Sequence, residues 1–328
     1  MSAIKRCLAL MLSVCALLST DGRSAQAENE EGIKMRSGPY TVQSSVEDVI
    51  NDPVFGDYGR LLLPADTYYW SGDKLGNLHL TWYNYVNPDK TVEIVNTLHA
   101  QAERGEQIFF DIYTDTEKAA DPRKADTGLF FFRGEPGSKF AVCNAGGGFA
   151  FVGAMHDSFP HALELSKKGY NAFALIYRPG AQTACEDLAR AIAFIFEHAD
   201  ELQIDTSDYS LWGGSAGARM AAWLGSYGTE SFGEKVYPRP AAVIMQYTGL
   251  SEVYGNEPPT YNCVGTSDGI ASYRTMQRRI DAIRANGTDA EIDIYNGLPH
   301  GFGLGIGTVA EGWIDNAMAF WERQTKTV

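Results

Sequence analysis

The stretch Asp208-Tyr209-Ser210-Leu211-Trp212-Gly213-Gly214-Ser215-Ala216-Gly217-Ala218-Arg219-Met220 changes character in its middle. Up to Trp212 it is a short β-rich run, and from Ala218 to Tyr227 it has helical character. Between the two, Gly213 and Gly217 flank Ser215 at two residues on either side. A serine on a sharp strand-to-helix turn needs glycine at both positions, because side chains there would collide. Such a turn lifts the Ser215 hydroxyl off the end of a sheet. It also puts the Ala216 amide at a helix N-terminus, where backbone N–H groups favour negative charge.

Further strand-like runs lie on both sides of this turn, at Phe140–Asn144, Ala172–Tyr177, Tyr209–Trp212, Ala242–Gln246, Tyr261–Val264 and Glu291–Tyr295. Helix-like stretches alternate with them, at Glu186–His198, Ala218–Tyr227, Ser272–Asn286 and Glu311–Arg323; in the first, Leu188, Ala191, Ile192 and Ile195 recur at helical spacing. Strands alternating with helices imply βαβ crossovers, a mostly parallel sheet covered by helices on both faces, and an active site at the carboxyl ends of the strands. Residues 104–140 read as antiparallel edge strands, with short β-rich runs at Gln107–Tyr113 and Leu129–Arg133. Residues 28–95 have no clear periodicity and are rich in aromatic and turn residues, as in Tyr68-Tyr69-Trp70-Ser71-Gly72 and Trp82-Tyr83-Asn84-Tyr85. They read either as an extension packed on the sheet edge or as a cap whose aromatics line a substrate entrance.

The pattern G-x-S-x-G occurs twice. In the second copy, Gly265-Thr266-Ser267-Asp268-Gly269, a carboxylate follows the serine and would sit beside any developing negative charge, so Ser215 is the candidate nucleophile. Upstream, Asn144-Ala145-Gly146-Gly147-Gly148-Phe149 ends a strand-like run. Consecutive glycines there let the amides of Gly147 and Gly148 turn toward a ligand. A phosphate cradle fits poorly, since no Lys-Ser/Thr pair follows. Of the six histidines only His300 follows Ser215, in the loop Gly297-Leu298-Pro299-His300-Gly301-Phe302. Asp268 follows the Tyr261–Val264 run through a Gly-Thr-Ser turn, and its Asp-Gly pair is turn chemistry that presents a carboxylate. Its rivals in the interval are Glu252, Glu257, Asp281, Asp289 and Asp293; of these, Asp281 and Asp289 read as solvated and Asp293 as a strand position. His156 and Asp157 could touch a substrate or cap a helix starting near Ser158. Arg178 reads as an ion-pair partner of Asp187, and Arg219 as an anchor for the helix after Ser215.

With these segments in this order, the chain resembles the acetyl esterase/lipase branch of the α/β-hydrolases, near the hormone-sensitive-lipase-like and the feruloyl and acetyl-xylan esterase relatives. The matching segments are Ala145–Phe149, Tyr177-Arg178, Glu186-Asp187, Gly213–Gly217, Gly265–Asp268 and Pro299–Phe302. The resemblance implies an α/β-hydrolase fold and the chain order nucleophile, acid, histidine, so that Ser215, Asp268 and His300 form a triad. It further implies an oxyanion hole from Gly147, Gly148 and Ala216, ester hydrolysis through an acyl-enzyme, and no metal or organic cofactor. One departure is Ala145, where many relatives carry histidine. A serine peptidase on the same fold would be expected to carry a propeller or amine-binding cap, and a non-catalytic binding protein a damaged triad.

The chain has 328 residues, 45% of them hydrophobic and 21% charged, enough for one α/β domain with additions. A formal net charge of −14 repels phosphate and argues against a nucleic-acid partner. Lys5 and Arg6, the apolar run Leu8–Leu18 and the small-residue pattern Ala25-Gln26-Ala27 read as a cleavable export signal over 1–27. That run is shorter than the ~20 residues a membrane span requires. The expected layout is therefore 1–27 signal, 28–95 extension or cap and 96–328 catalytic domain. The expected product is secreted or periplasmic, with a small-molecule or carbohydrate ester as partner. Beyond the signal, Cys143, Cys185 and Cys263 form no zinc-type cluster.

Overall fold

The computed structural model describes residues 38–63, 68–83 and 86–325; the expected signal at 1–27 lies outside the described residues. Eight strands form one sheet: β1 Phe109–Asp111, β2 Gly128–Phe132, β3 Lys139–Asn144, β4 Asn171–Ile176, β5 Asp205–Gly214, β6 Ala242–Gln246, β7 Thr260–Gly265 and β8 Ala290–Tyr295. Their order is β8-β7-β6-β5-β3-β4-β2-β1. All neighbours among β3 to β8 run parallel, whereas β1 pairs antiparallel with β2, and β2 with β4. The edge placement expected for 104–140 is thus found in β1, while β2 lies one strand further in.

The inner strands are nearly continuous apolar runs because helices cover both faces. Their side chains still sort by the two-residue period. Phe130, Phe132, Ala141, Cys143, Ala172 and Ala174 belong to one core, and Leu129, Phe131, Val142, Phe173 and Leu175 to the other. The first core receives Ile94 and Leu98 from α1 (Pro88–Glu103), Phe159 from α2 (Phe159–Lys167), and Trp313 and Trp321 from α6 (Trp313–Gln324). The second receives Leu188 and Ile192 from α3 (Ala181–Glu197) and Met220 and Leu224 from α4 (Ala216–Tyr227). Helix α5 (Tyr273–Ala285) packs Ile280 and Ile283 against Ala290, the first residue of β8. Each fully buried side chain of this size contributes roughly 1.5–3 kcal/mol of transfer free energy.

Helix α1 corrects the reading of 28–95 as aperiodic. Asn87 caps it by accepting the Lys90 amide, and Pro88 occupies the first turn. Thr91, Ile94, Val95, Leu98 and His99 are buried at helical spacing. That repeat straddles residue 95, so the boundary drawn there cut the signal in two. Before α1, short helical segments at Val46–Ile50, Pro53–Tyr58 and Gly59–Leu62 and a two-stranded ribbon, Trp70–Ser71 with His79–Leu80, followed by Tyr83, place Val46, Phe55, Leu62, Trp70, Leu80 and Tyr83 in the same core as Phe130, Phe159 and Trp313. Cys143, Cys185 and Cys263 are buried free thiols. Among the described residues, no helix is long and apolar enough to cross a membrane.

Candidate active site

Ser215 sits where β5 ends and α4 begins, with φ 51° and ψ −111°. Positive φ in a residue with a Cβ costs on the order of 1–3 kcal/mol and persists only where the surroundings impose it. Here the surroundings are tight. A Cβ on Gly213 would strike the backbone of Gly217, and one on Gly217 would strike the Asn144 carbonyl. The Ser215 amide donates to the Gln246 carbonyl at 2.9 Å, tying the turn to β6.

The loop after β8 carries His300 to this turn. Its Nε2 lies 3.2 Å from Ser215 Oγ, and its Nδ1 lies 2.8 Å from Asp268 Oδ2. Asp268 Oδ1 accepts the amides of Ile270 at 2.8 Å and Ala271 at 2.7 Å, and the side chain is 0% exposed. With the carboxylate accepting from Nδ1–H, Nε2 is left to accept from the serine hydroxyl. The structure therefore brings Ser215, His300 and Asp268 into one hydrogen-bonded line.

Facing them is the glycine loop after β3. Gly147 and Gly148 adopt φ 123° and 63°, which only glycine takes without strain. The Gly146 amide is held by Asp157 and the Ser215 amide by Gln246, while no backbone acceptor among the described residues takes the amides of Gly147, Gly148 or Ala216. Gly146 cannot carry a side chain: its Cβ would fall 2.7 Å from Asp157 Oδ2 and 2.9 Å from Ser215 Cβ.

Asp157 does not use its carboxylate to cap the helix that starts near Ser158, one of the two uses read from sequence. It is 0% exposed beneath the glycine loop. Oδ2 accepts the Gly146 amide at 3.0 Å and the Tyr83 hydroxyl at 2.7 Å, and Oδ1 accepts the Tyr247 hydroxyl. Burial, then the charge of Asp157, pushes both phenols well above their usual range, so they remain neutral donors. The Tyr247 ring also packs on His300, with centroids 4.8 Å apart. His156 Nε2 lies 2.8 Å from the Gly301 carbonyl and so braces the loop that bears His300.

Arg178 is paired as expected: it bonds Asp187 at 2.7 Å and Asp121 at 2.9 Å. Arg219 differs from its expected anchoring role, since its guanidinium has no hydrogen-bond, ion-pair or ring partner among the described residues. Aromatic residues frame the site. Trp82, 48% exposed, stands against Gly148; Tyr69 stacks on Phe151 at 4.7 Å, and Phe149 on Trp223 at 5.9 Å. A cavity of about 510 Å³ lies behind His300, between Leu78, Met155, Phe302 and Leu304, and does not reach Ser215. Among the described residues, no three His, Cys, Asp or Glu side chains group as a metal site.

The BD-FAE family model matches residues 135–261, a segment that contains the glycine loop and Ser215 and stops before Asp268 and His300. No curated protein matches the sequence. Among solved structures, an acetyl ester-xyloside bifunctional hydrolase from Caldicellulosiruptor lactoaceticus is similar at a TM-score of 0.57 and 21% identity, covering 66% of this chain and 95% of that one. A propionate-bound thermophilic esterase from the Planctomycetes species Thermogutta terrifontis is similar at 0.53 and 21%, covering 60% and 89%. A sugar hydrolase from Lactococcus lactis is similar at 0.52 and 21%, covering 60% and 94%. The strand order, the strained serine turn and these likenesses give the chain an α/β-hydrolase fold, and its central segment, residues 135–261, matches the BD-FAE family model.

Proposed function

We propose that this protein is a serine carboxylic-ester hydrolase working through an acyl-enzyme. The observation that carries the reading is the line from Ser215 Oγ through His300, 3.2 Å away, to Asp268, 2.8 Å beyond. His300 Nε2 takes the hydroxyl proton as Ser215 Oγ attacks the ester carbonyl carbon. The carbonyl electron pair moves onto oxygen, which the amides of Ala216 and of Gly147 or Gly148 receive. Collapse breaks the bond to the alcohol, which leaves with the proton from the imidazolium. Water, deprotonated by the same imidazole, then releases the acid and restores Ser215. Asp268 orients the ring through its bond to Nδ1. No cofactor enters these steps.

Short acyl groups, acetyl or feruloyl-type, on small-molecule or carbohydrate alcohols are the substrate class this reading favours. In support, similar folds belong to an acetyl ester-xyloside hydrolase and to an esterase that binds propionate. The proposed mature form begins at Glu28, after export, and intact-mass measurement of secreted protein tests that start. For the chemistry, Ser215→Ala is expected to abolish p-nitrophenyl acetate hydrolysis with the circular dichroism spectrum unchanged. A fluorophosphonate probe is expected to label the parent protein alone. Turnover retained by the alanine variant would refute the assignment.

A further inference from the structure

Helix α4 is buried almost throughout. Of its twelve residues only Arg219, Trp223 and Tyr227 reach solvent, and they follow Ser215 at intervals of four. Positions four apart share one helix face, so these residues form a stripe that starts at the hydroxyl and runs away from it. Trp223 stacks on Phe149 of the glycine loop, with ring planes 12° apart. The stripe thus runs from Ser215 along the uncovered face of α4, with Phe149 of the glycine loop against it.

Arg219 stands in that stripe, one turn beyond the serine. Its Nη2 lies 3.5 Å from where a Cβ on Gly249 would sit, and the Ile270–Ala271 backbone, whose amides hold Asp268, adjoins the same point. The guanidinium therefore lies among the serine turn, the loop after β6 and the loop bearing the acid. Every other arginine of the described residues has an ion pair, a hydrogen bond or a ring contact. Arg219 has none, in a chain with 41 Asp and Glu against 27 Lys and Arg. Leaving a partly buried charge unpaired is unfavourable, and a guanidinium fork matches a carboxylate in geometry.

We infer that Arg219 receives a carboxylate of the substrate, so that the preferred esters carry an anionic group a few bonds from the scissile carbonyl. The inference rests on Ser215 being the nucleophile. Four helical residues rise about 6 Å, and helical side chains lean back toward the N-terminus. The carboxylate is then within about 6 Å of the carbonyl carbon, a reach that a succinyl or slightly longer chain provides. The net charge of −14 repels such an ester at long range, so its recognition requires a local cation of this kind.

The test compares p-nitrophenyl hemisuccinate with its methyl ester, and 4-carboxyphenyl acetate with 4-carbamoylphenyl acetate. Within each pair the leaving group or acyl group is held nearly constant, so the ratio of kcat/KM values reports the carboxylate and cancels general changes in the nucleophile. The parent protein is expected to favour the anionic member of at least one pair by about tenfold or more. The pair affected says which half of the ester carries the charge. Arg219→Gln should bring that ratio to about one or below, and Arg219→Lys should keep part of it, because the charge remains without the fork. A parent ratio at or below one in both pairs, with p-nitrophenyl acetate still hydrolysed, overturns this inference alone. A ratio that Arg219→Gln leaves unchanged also overturns it. No hydrolysis of any of these esters would overturn the esterase reading and this inference with it.

Discussion

Gly146 shows how little room the reacting centre leaves. It is not the glycine whose amide would hold an oxyanion, yet a single added methyl there would meet the Tyr83 hydroxyl first, and then the Asp157 carboxylate and Ser215. Tyr83 is buried and bonded to Asp157, Asp157 is also held by Tyr247, and Ser215 is held by the strained turn, so none of the three retreats without cost. Gly146→Ala is therefore expected to push the glycine loop off its register with Ser215. Misplacing an oxyanion donor costs about 10²–10³ in kcat. Steady-state kinetics on p-nitrophenyl acetate checks this, with KM expected to change much less than kcat. An alanine variant with parental kcat would mean that the loop adjusts freely and that its register does not govern the chemistry.

At the scale of elements, the segment from the ribbon to α1 is joined to the site through Tyr83, which donates to Asp157 and packs its ring on His156 at 4.5 Å. Tyr83→Phe keeps the ring and deletes one bond to a buried anion. The expected loss is roughly 1.5–3 kcal/mol of unfolding free energy by urea titration, with a fall in kcat as the glycine loop loosens. Unchanged values in both would show that the segment merely covers the sheet. None of this coupling could be read along the chain. Asp157 lies 74 residues from Tyr83 and 90 from Tyr247, and nothing local to Met155-His156-Asp157 marks a buried carboxylate. By contrast, strands β3 to β8 and helices α3 to α6 each carry their own period, and the Ser215 turn carries its glycines, so those elements were legible. His300 was placed by chain order, and Asp268 by chain order together with its Asp-Gly turn after a strand. The exposure of Arg219 beside the site was missed because helical spacing alone cannot say which face of α4 is left uncovered.

Across the whole molecule, stability against acid is set by competing terms, and His161 separates one of them. It is fully buried on α2 with its ring edge-to-face against Trp313 at 5.4 Å, and its Nε2 has no hydrogen-bond partner. Burial pushes its pKa down from 6.5 to about 4, with the nearby charge of Asp157 only partly opposing this. Between those two values the unfolded chain binds a proton that the folded protein does not. Stability from this group is complete above about pH 6.5, falls as the pH drops toward 4, and falls no further below that. At about 1.4 kcal/mol per unit, the loss over the window is about 3 kcal/mol. Acidification also relieves the mutual repulsion of a chain with net charge −14, which acts in the opposite direction. Comparing His161→Phe with the parent at each pH cancels that shared term, because the substitution keeps an aromatic ring against Trp313 and removes the titration. The difference in unfolding free energy, parent minus variant, should therefore shrink by about 3 kcal/mol between pH 7 and pH 4. Parallel curves across that range would show that the buried imidazole does not resist protonation.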